Sequence, residues 1–343
     1  MSFSIGIVGL PNVGKSTLFK ALTRQEIAIS PRPFTTINPN LGEVSVPDIR
    51  LEKIAKIVKP EKTTPTTIEF VDIAGLVKDA HKGAGLGNQF LGHIKPCEAI
   101  IEIVRLFKDL TVEHATGTIN PEKDIDIIDI ELLMKDLEVC EKLLKKLGKK
   151  KDKRFNILKK IQGSLLQEKP IRKLNLTEEE KGFIKEFQFL TEKPTVYLLN
   201  KNSKSKVDIG EFERKLPHSL NLDLKLEEEI SQLTEKEREE LKLSSELDKV
   251  ILNCYNILDL ITFFTIAGGK EAKAWTVKKG TKCAQAGASI HTDFEKKFIR
   301  AEVVPWEKLV EAQSWKKARE SGYLKIAGRD YVVQDGDVIE FKI

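Results

Sequence analysis

The residues best suited to chemistry form one short run near the start of the sequence, Gly9-Leu-Pro-Asn-Val-Gly-Lys-Ser-Thr17. This run follows an apolar, strand-like segment and opens a helix-like one, which is the context that a phosphate-binding loop requires. Glycines at both ends of the loop let the backbone curl, so that its N–H groups point at phosphate oxygens. Lys15 supplies a cation for the β- and γ-phosphates, and Ser16 offers a hydroxyl to Mg²⁺. The run therefore predicts a nucleotide-binding site.

Two further segments lie at the spacings that a GTPase-type enzyme needs. Phe34-Thr-Thr36 lies in a proline-rich loop, where a threonine hydroxyl could reach Mg²⁺, although an ordinary turn explains it equally well. Asp72 ends a strand-like run and could hold a Mg²⁺-bound water, and Gly75 could give its N–H to the γ-phosphate. Leu76 then stands where Ras-like enzymes have a water-orienting glutamine. Since leucine cannot orient water, hydrolysis must be slow or must use another group.

A fourth segment, Asn200-Lys-Asn-Ser203, is placed to read the base. A guanine-specific site has aspartate at the last position, where the carboxylate accepts two hydrogen bonds from the guanine edge. Ser203 cannot make that contact. Guanine specificity is therefore not encoded, and adenine becomes a reasonable alternative.

The elements that must position these residues alternate between strands and helices. Strand-like runs at 4–8, 40–46, 67–72 and 99–107 are separated by helix-like segments, and a further buried strand is predicted at 194–200. This alternation predicts an open α/β sheet with the ligand at the carboxyl ends of its strands.

Two other compositions interrupt and follow the α/β pattern. An apolar stripe at coiled-coil spacing consists of Leu133, Leu137, Cys140, Leu144 and Leu147. After a break at 148–153, a similar stripe resumes at Leu158, Ile161 and Leu165. The two stripes predict two short helices that fold back as an antiparallel hairpin. From about residue 260, short β-type runs predict a small α+β module. We therefore predict a nucleotide-binding domain over 1–124 and 191–258, an inserted hairpin over 125–190, and a C-terminal domain over 259–343.

The composition sets limits on the class of protein. Hydrophobic residues make up 41% and charged residues 32% of the 343, which excludes wholesale disorder. The net charge of +5 permits a nucleic-acid partner without demanding one. The four cysteines have no metal-site spacing and are expected to be reduced thiols. No membrane span is predicted, since the most apolar stretch, 251–269, contains polar residues. No signal peptide is predicted either, because the first residues lack a basic region and a cleavage site. A soluble cytoplasmic protein is expected.

Four longer runs together carry a resemblance that covers nearly the whole chain. GLPNVGKSTLF, PFTTINPN, DIAGLVKDAHKGAGLGNQFL and the C-terminal AWTVKKGTK with its following strands are similar to those of the YchF/Obg-like ATPase family. The resemblance implies an α/β, P-loop GTPase-like domain with an inserted helical hairpin, followed by a TGS domain of the β-grasp type. It also implies a preference for ATP over GTP, dependence on Mg²⁺, and association with ribosomes.

Matching the family motifs to this sequence assigns roles to individual residues. The resemblance implies a base contact near Asn200 and Lys201, with Phe34 and Gly75 also at the nucleotide, and phosphate contacts from Asn12, Val13, Gly14, Lys15, Ser16 and Thr17. It implies Mg²⁺ ligands at Ser16, Thr36 and Asp72, and a catalytic role for His114. The sequence departs from the family at Ser203, usually glutamate, at Arg32, usually tyrosine, and at Asp223-Leu-Lys225, where Ser-Ala-Lys is expected. In related potassium-dependent enzymes an asparagine at the place of Asn12 holds a monovalent cation, which makes K⁺ a second candidate cofactor.

The partners follow from charge and from the resemblance. The run 145–154 has seven basic residues and one acid at the expected hairpin tip, so it is either a solvated surface or a contact for RNA or the ribosome, with the TGS domain as a second contact. A monomer without a membrane partner is expected. Three functions remain open: a slow ATPase that switches on the translation machinery, a GTPase of the same fold in ribosome assembly, and a binding module with incidental turnover. Ser203 speaks against the second, and Leu76 keeps the third open.

Overall fold

The computed structural model describes residues 3–24, 40–73, 91–109, 112, 114–115, 117–148, 152–202 and 209–343. Contacts divide the chain into two compact units. The larger unit comprises residues 3–44 and 69–250, and the smaller comprises 45–68 and 251–343.

The larger unit is built on a six-stranded sheet in the order β2-β4-β1-β5-β6-β7. Its strands are β1 (Ser4–Val8), β2 (Asn40–Ser45), β4 (Thr67–Asp72), β5 (Ala99–Arg105), β6 (Thr195–Asn200) and β7 (Ser219–Leu222). β1 pairs in parallel with both β4 and β5, and β6 pairs in parallel with β5 and β7. Because the strands are parallel, the loop after β1 and the last residues of β4, β5 and β6 meet at one edge of the sheet. The predicted open α/β sheet is confirmed.

Helices of the larger unit cover this sheet and extend from it. The loop after β1 leads directly into α1 (Lys15–Arg24). Outside the helical hairpin, the described residues of this unit also form α5 (Glu178–Ile184), α6 (Ile209–Lys215), α7 (Leu224–Ile230) and α8 (Glu235–Leu241). α9 (Leu247–Ile257) begins in this unit and ends in the smaller one. In the part of the chain that the structure describes, none of the helices is long and apolar enough to cross a membrane.

The predicted hairpin is present, with one arm longer than expected. α3 (Pro121–Leu147) has 27 residues and α4 (Lys153–Leu165) has 13. Asn120 caps the start of α3 and Asp152 caps the start of α4, each accepting a backbone N–H. The two apolar stripes predicted from the sequence pack together, with Cys140 and Ile161 wholly buried between the helices. The sequence pattern therefore located the hairpin correctly but not the length of its first helix.

The smaller unit contains a second six-stranded sheet in the order β11-β10-β12-β8-β9-β3. Its strands are β3 (Lys62–Thr64), β8 (Leu260–Ala267), β9 (Glu271–Lys278), β10 (Arg300–Pro305), β11 (Lys325–Ala327) and β12 (Asp337–Lys342). Its helices are α2 (Ile49–Val58), α10 (Cys283–Ala288), α11 (Thr292–Lys296), α12 (Trp306–Ala312) and α13 (Trp315–Glu320). β8 and β9 form an antiparallel hairpin, and β12 runs parallel to β8. The predicted C-terminal α+β module is confirmed.

The segment 45–68 belongs to a different unit from the one that the predicted domain boundaries assign to it. Residues 45–68 fall within the range 1–124 assigned to the nucleotide-binding domain, yet they belong to the smaller unit. β3 pairs in parallel with β9, and Arg50 of α2 lies 2.7 Å from the carboxylate of Asp335. Leu51 and Ile54 are buried in the same apolar cluster as Phe264 of β8. Apolar periodicity predicts that α2 has a buried face, but not against which sheet that face packs.

Candidate nucleotide-binding site

The loop between β1 and α1 has the backbone conformation of a phosphate-binding loop. Gly9 has φ 150°, Asn12 has φ 62°, and Gly14 has φ 112°, so all three lie in a region that glycine favours. A Cβ at Gly9 would lie 2.7 Å from the Ile103 carbonyl oxygen, and one at Gly14 would lie 2.6 Å from the Asn200 amide nitrogen. Both glycines are therefore required by conformation and by close approach of their neighbours.

Lys15 is folded back into the loop. Its Nζ donates to the carbonyl oxygens of Leu10 at 2.8 Å and Gly9 at 3.2 Å, and the residue is only 7% exposed. Burial lowers the pKa of Lys15 to about 8, and the nearby Asp72 carboxylate opposes that shift. A buried ammonium group whose hydrogen bonds, among the described residues, go to carbonyl oxygens is prepared to receive an anion, because phosphate oxygens would compensate its charge better.

Ser16 and Asp72 lie together at the carboxyl edge of the sheet. The Ser16 hydroxyl donates to the Asp72 carboxylate at 3.0 Å. Hydroxyl and carboxylate oxygens are the ligand types that Mg²⁺ prefers, and the ion is usually held by one or two protein groups together with substrate phosphates. These two of the three predicted Mg²⁺ ligands therefore fit the ion. The third, Thr36, lies outside the described residues.

Asn200, the last residue of β6, supports the loop. Its Nδ2 donates to the Val13 carbonyl at 2.8 Å, and its Oδ1 accepts from the Leu224 N–H at the start of α7 at 3.2 Å. The residue is 4% exposed. Because of its two hydrogen bonds, this buried amide connects the phosphate loop, β6 and α7. Lys201 follows at the surface end of β6, and its backbone N–H donates to Leu222.

His114 is buried and paired. Its Nε2 lies 3.0 Å from an Asp124 carboxylate oxygen in the first turn of α3, and both side chains are about 5% exposed or less. Burial raises the pKa of Asp124, and the adjacent His114 opposes that shift. The structure therefore gives the predicted catalytic histidine a carboxylate that can orient its ring. No sequence pattern singles out Asp124, since only the fold brings the two residues together.

The remaining predicted residues divide into two groups. Thr17 is half-buried in the first turn of α1, and the buried Val13 and exposed Asn12 lie in the loop itself. Phe34, Gly75, Leu76 and Ser203 lie outside the described residues, as does Thr36.

The pKa of Lys15 predicts how nucleotide affinity depends on pH. Phosphate binding favours the protonated ammonium, whereas the unliganded protein loses this proton as the pH passes about 8. ADP affinity should therefore be nearly constant from pH 7 to 8 and then fall, approaching a loss of about tenfold per pH unit. Calorimetric titrations at pH 7.5, 8.5 and 9.5 measure this, above the range in which the phosphates themselves titrate. Equal affinities at all three values would contradict it.

A parallel sheet with this loop after its first strand, and with Ser16 and Asp72 side by side at its carboxyl edge, defines a P-loop nucleotide-binding protein of the GTPase-like class. Comparisons with known proteins narrow the class. Residues 4–160 match a family described as 50S ribosome-binding GTPase, and residues 260–343 match the YchF-GTPase_C family.

Full-length relatives agree with this assignment. The chain is 43% identical to the ribosome-binding ATPase YchF of Bacillus subtilis, covering 100% of this chain and 99% of the relative. It is 44% identical to the protein of the same name from Escherichia coli O157:H7, with 99% of each covered. The solved structure of the Schizosaccharomyces pombe YchF GTPase superimposes with a TM-score of 0.85 at 34% identity, covering 99% of this chain and 98% of that one. The chain belongs to the YchF family.

Proposed function

We propose that this protein is a slow, Mg²⁺-dependent ATPase that acts as a nucleotide-dependent switch on the ribosome. The observation that carries the proposal is the phosphate loop, in which a buried Lys15 donates to backbone carbonyls at 2.8 and 3.2 Å beside the Ser16–Asp72 pair. The names of the relatives from Bacillus subtilis and Escherichia coli support the ATPase activity and the ribosomal partner.

The chain's own residues suggest how the loop would handle the phosphates. Backbone N–H groups of the loop and the first turn of α1 would bind the β-phosphate, and Lys15 would leave its two carbonyl contacts for the β- and γ-phosphates. Ser16 and Asp72, with Thr36, would hold Mg²⁺, which neutralises charge on the phosphates. Gly75 would donate its N–H to the γ-phosphate. No glutamine follows it, so turnover would be slow and would rely on His114, with K⁺ near Asn12 as an additional source of positive charge.

ATP is the proposed nucleotide because the segment that would contact the base lacks the carboxylate that accepts two hydrogen bonds from guanine. Ser203 stands at that position, and Asn200 and Lys201 are left as the base contacts. The relatives' names do not agree on this point, since those from Bacillus subtilis and Escherichia coli are named ATPases and the Schizosaccharomyces pombe structure is titled a GTPase. A GTPase of the same fold is therefore the alternative, and a binding module with incidental turnover is the second.

The proposed ribosomal contact is the hairpin tip, with the C-terminal TGS domain as a second surface. Lys145, Lys146, Lys153 and Arg154 are exposed at the facing ends of α3 and α4, and the tip residues 149–151 lie outside the described residues. Exposed lysines and arginines on a projecting pair of helices suit a phosphate backbone. A ribosomal partner also implies a cytoplasmic protein, which we propose acts as a monomer.

Co-sedimentation with ribosomes tests this function. The wild type should pellet with ribosomes more strongly with a non-hydrolysable ATP analogue than with ADP. The ribosome affinity of the double variant Lys145→Glu/Lys146→Glu should be about tenfold lower, because binding weakens with each lysine–phosphate contact that is removed. Lys236→Glu/Lys242→Glu, in and just after α8, makes the same change of net charge at another exposed site and should bind normally. Equal pelleting with the two nucleotides would contradict the switch, and equal loss in both double variants would contradict the tip.

A further inference from the structure

Arg105 is a charged residue at the end of a buried strand whose other residues are apolar except for Glu102. It is the last residue of β5, is 1% exposed, and lies in register with Asn200 at the end of β6. No sequence motif singled it out, and the family motifs quoted above do not include it. Burying a guanidinium this completely is costly unless its N–H groups are satisfied, so its contacts indicate its role.

Among the described residues, backbone carbonyls accept the hydrogen bonds of the guanidinium, including a long one from Nη2 to Asp109 at 3.5 Å. Nη1 donates to Asn12 at 3.3 Å, Nε to Phe107 at 3.1 Å, and Nη2 to Val112 at 3.1 Å. The guanidinium carbon also lies 4.6 Å from the centre of the Phe107 ring. One side chain therefore joins the phosphate loop to the segment that leads to His114.

Arg105 and Asn200 hold two successive carbonyls of the loop. Arg105 holds the carbonyl of Asn12, and Asn200 holds that of Val13 at 2.8 Å. In a trans peptide the N–H points opposite to the C=O. Fixing these two carbonyls from outside the loop therefore turns the N–H groups of Val13 and Gly14 towards its interior, where a phosphate binds.

The geometry points to Arg105 as a positioning residue that orients the Val13 N–H for the phosphates and fixes the segment before His114 against the loop. This inference rests on the proposed nucleotide site and adds a residue to it. A lysine at this position would keep the charge but carries all its donors on one atom, so it could not span the carbonyls that the three guanidinium nitrogens reach on different sides.

The test compares Arg105→Lys with Arg172→Lys. Arg172 is a partly buried arginine of the same unit that contacts Asp129 at 3.4 Å and Tyr197 at 3.3 Å, none of which belongs to the phosphate loop. For each folded variant, calorimetry gives the affinities for ADP and ATP with Mg²⁺, thermal melting gives stability, and single-turnover assays separate kcat from affinity. Arg105→Gln, which keeps one amide donor group, takes the place of Arg105→Lys if that variant does not fold.

The affinities of Arg105→Lys for ADP and ATP should be lower by about tenfold or more, because an oriented N–H donor to an anion is lost. The ADP and ATP affinities of Arg172→Lys should stay within about twofold of the wild-type values, even if its melting temperature falls as far as that of Arg105→Lys. Wild-type affinities in a folded Arg105→Lys protein, or equal losses in both variants, would overturn the assignment. Failure of the wild type to bind either nucleotide would instead overturn the proposed function.

Discussion

Lys15→Ala is expected to abolish measurable binding of ATP and ADP while the protein stays folded. Lys15 is the one side-chain cation in the run from Gly9 to Thr17, and it is buried against two carbonyls that it would exchange for phosphate oxygens. Removing a charge-assisted contact to the triphosphate should lower affinity by about a hundredfold or more. Losing the ammonium should not unfold the loop, since burial already disfavours the charged form in the unliganded protein.

The measurement is a calorimetric titration of the variant with ATP and ADP in the presence of Mg²⁺, alongside a thermal melt. Lys20→Ala is the matched control, because Lys20 lies on the same helix but is exposed. It should bind as the wild type does. Unchanged ATP affinity in a folded Lys15→Ala protein would refute the phosphate-loop assignment.

His114→Ala is expected to reduce the rate of ATP hydrolysis by about a hundredfold with little change in ATP affinity, which is the usual size of a general acid–base contribution. The Asp124 carboxylate lies 3.0 Å from His114 Nε2, so it can fix the ring. Asp124→Asn, which keeps the shape but removes the charge, should slow hydrolysis less. Both variants should bind ATP nearly as the wild type does, because a general acid–base group acts in the transition state, whereas the loop from Gly9 to Thr17 would bind the phosphates.

Single-turnover hydrolysis in potassium and in sodium buffers checks this prediction. His218→Asn, a change at an exposed histidine with φ 61° where asparagine is tolerated, is the control and should hydrolyse ATP at the wild-type rate. Equal rates for the wild type and His114→Ala would remove His114 from the mechanism. Equal wild-type rates in the two salts would remove the monovalent cation.

Much of the fold could be predicted because its signals are local. The strand from Ser4 to Val8, the loop and α1 follow one another in the sequence, and the loop's chemistry depends on a short motif. The apolar stripes of the hairpin could also be recognised, because coiled-coil spacing is a pattern within the sequence of a single helix. Lys15 and Ser16 were therefore found before any tertiary contact was known.

The residues that sequence reasoning missed depend on contacts between distant parts of the chain. Arg105 shares a mostly apolar strand with a second buried charge, Glu102, and its role becomes visible only when β5 lies beside β1 and β6. Asp124 opens a helix, where an acidic residue is common, and nothing nearby in sequence shows that it faces His114. Residues 45–68 likewise gave no sign that their strand pairs with Glu271–Lys278. Charged residues within a buried strand were the available signal, and they marked Glu102 as much as Arg105.

Calorimetric titration of the purified full chain with ATP and with GTP, each with Mg²⁺, is the measurement on which the proposed function chiefly depends. Because Ser203 cannot accept two hydrogen bonds from guanine, ATP should bind at least as tightly as GTP. GTP binding that is more than about tenfold tighter, or about 1.4 kcal/mol, would contradict the ATPase and favour the GTPase of the same fold.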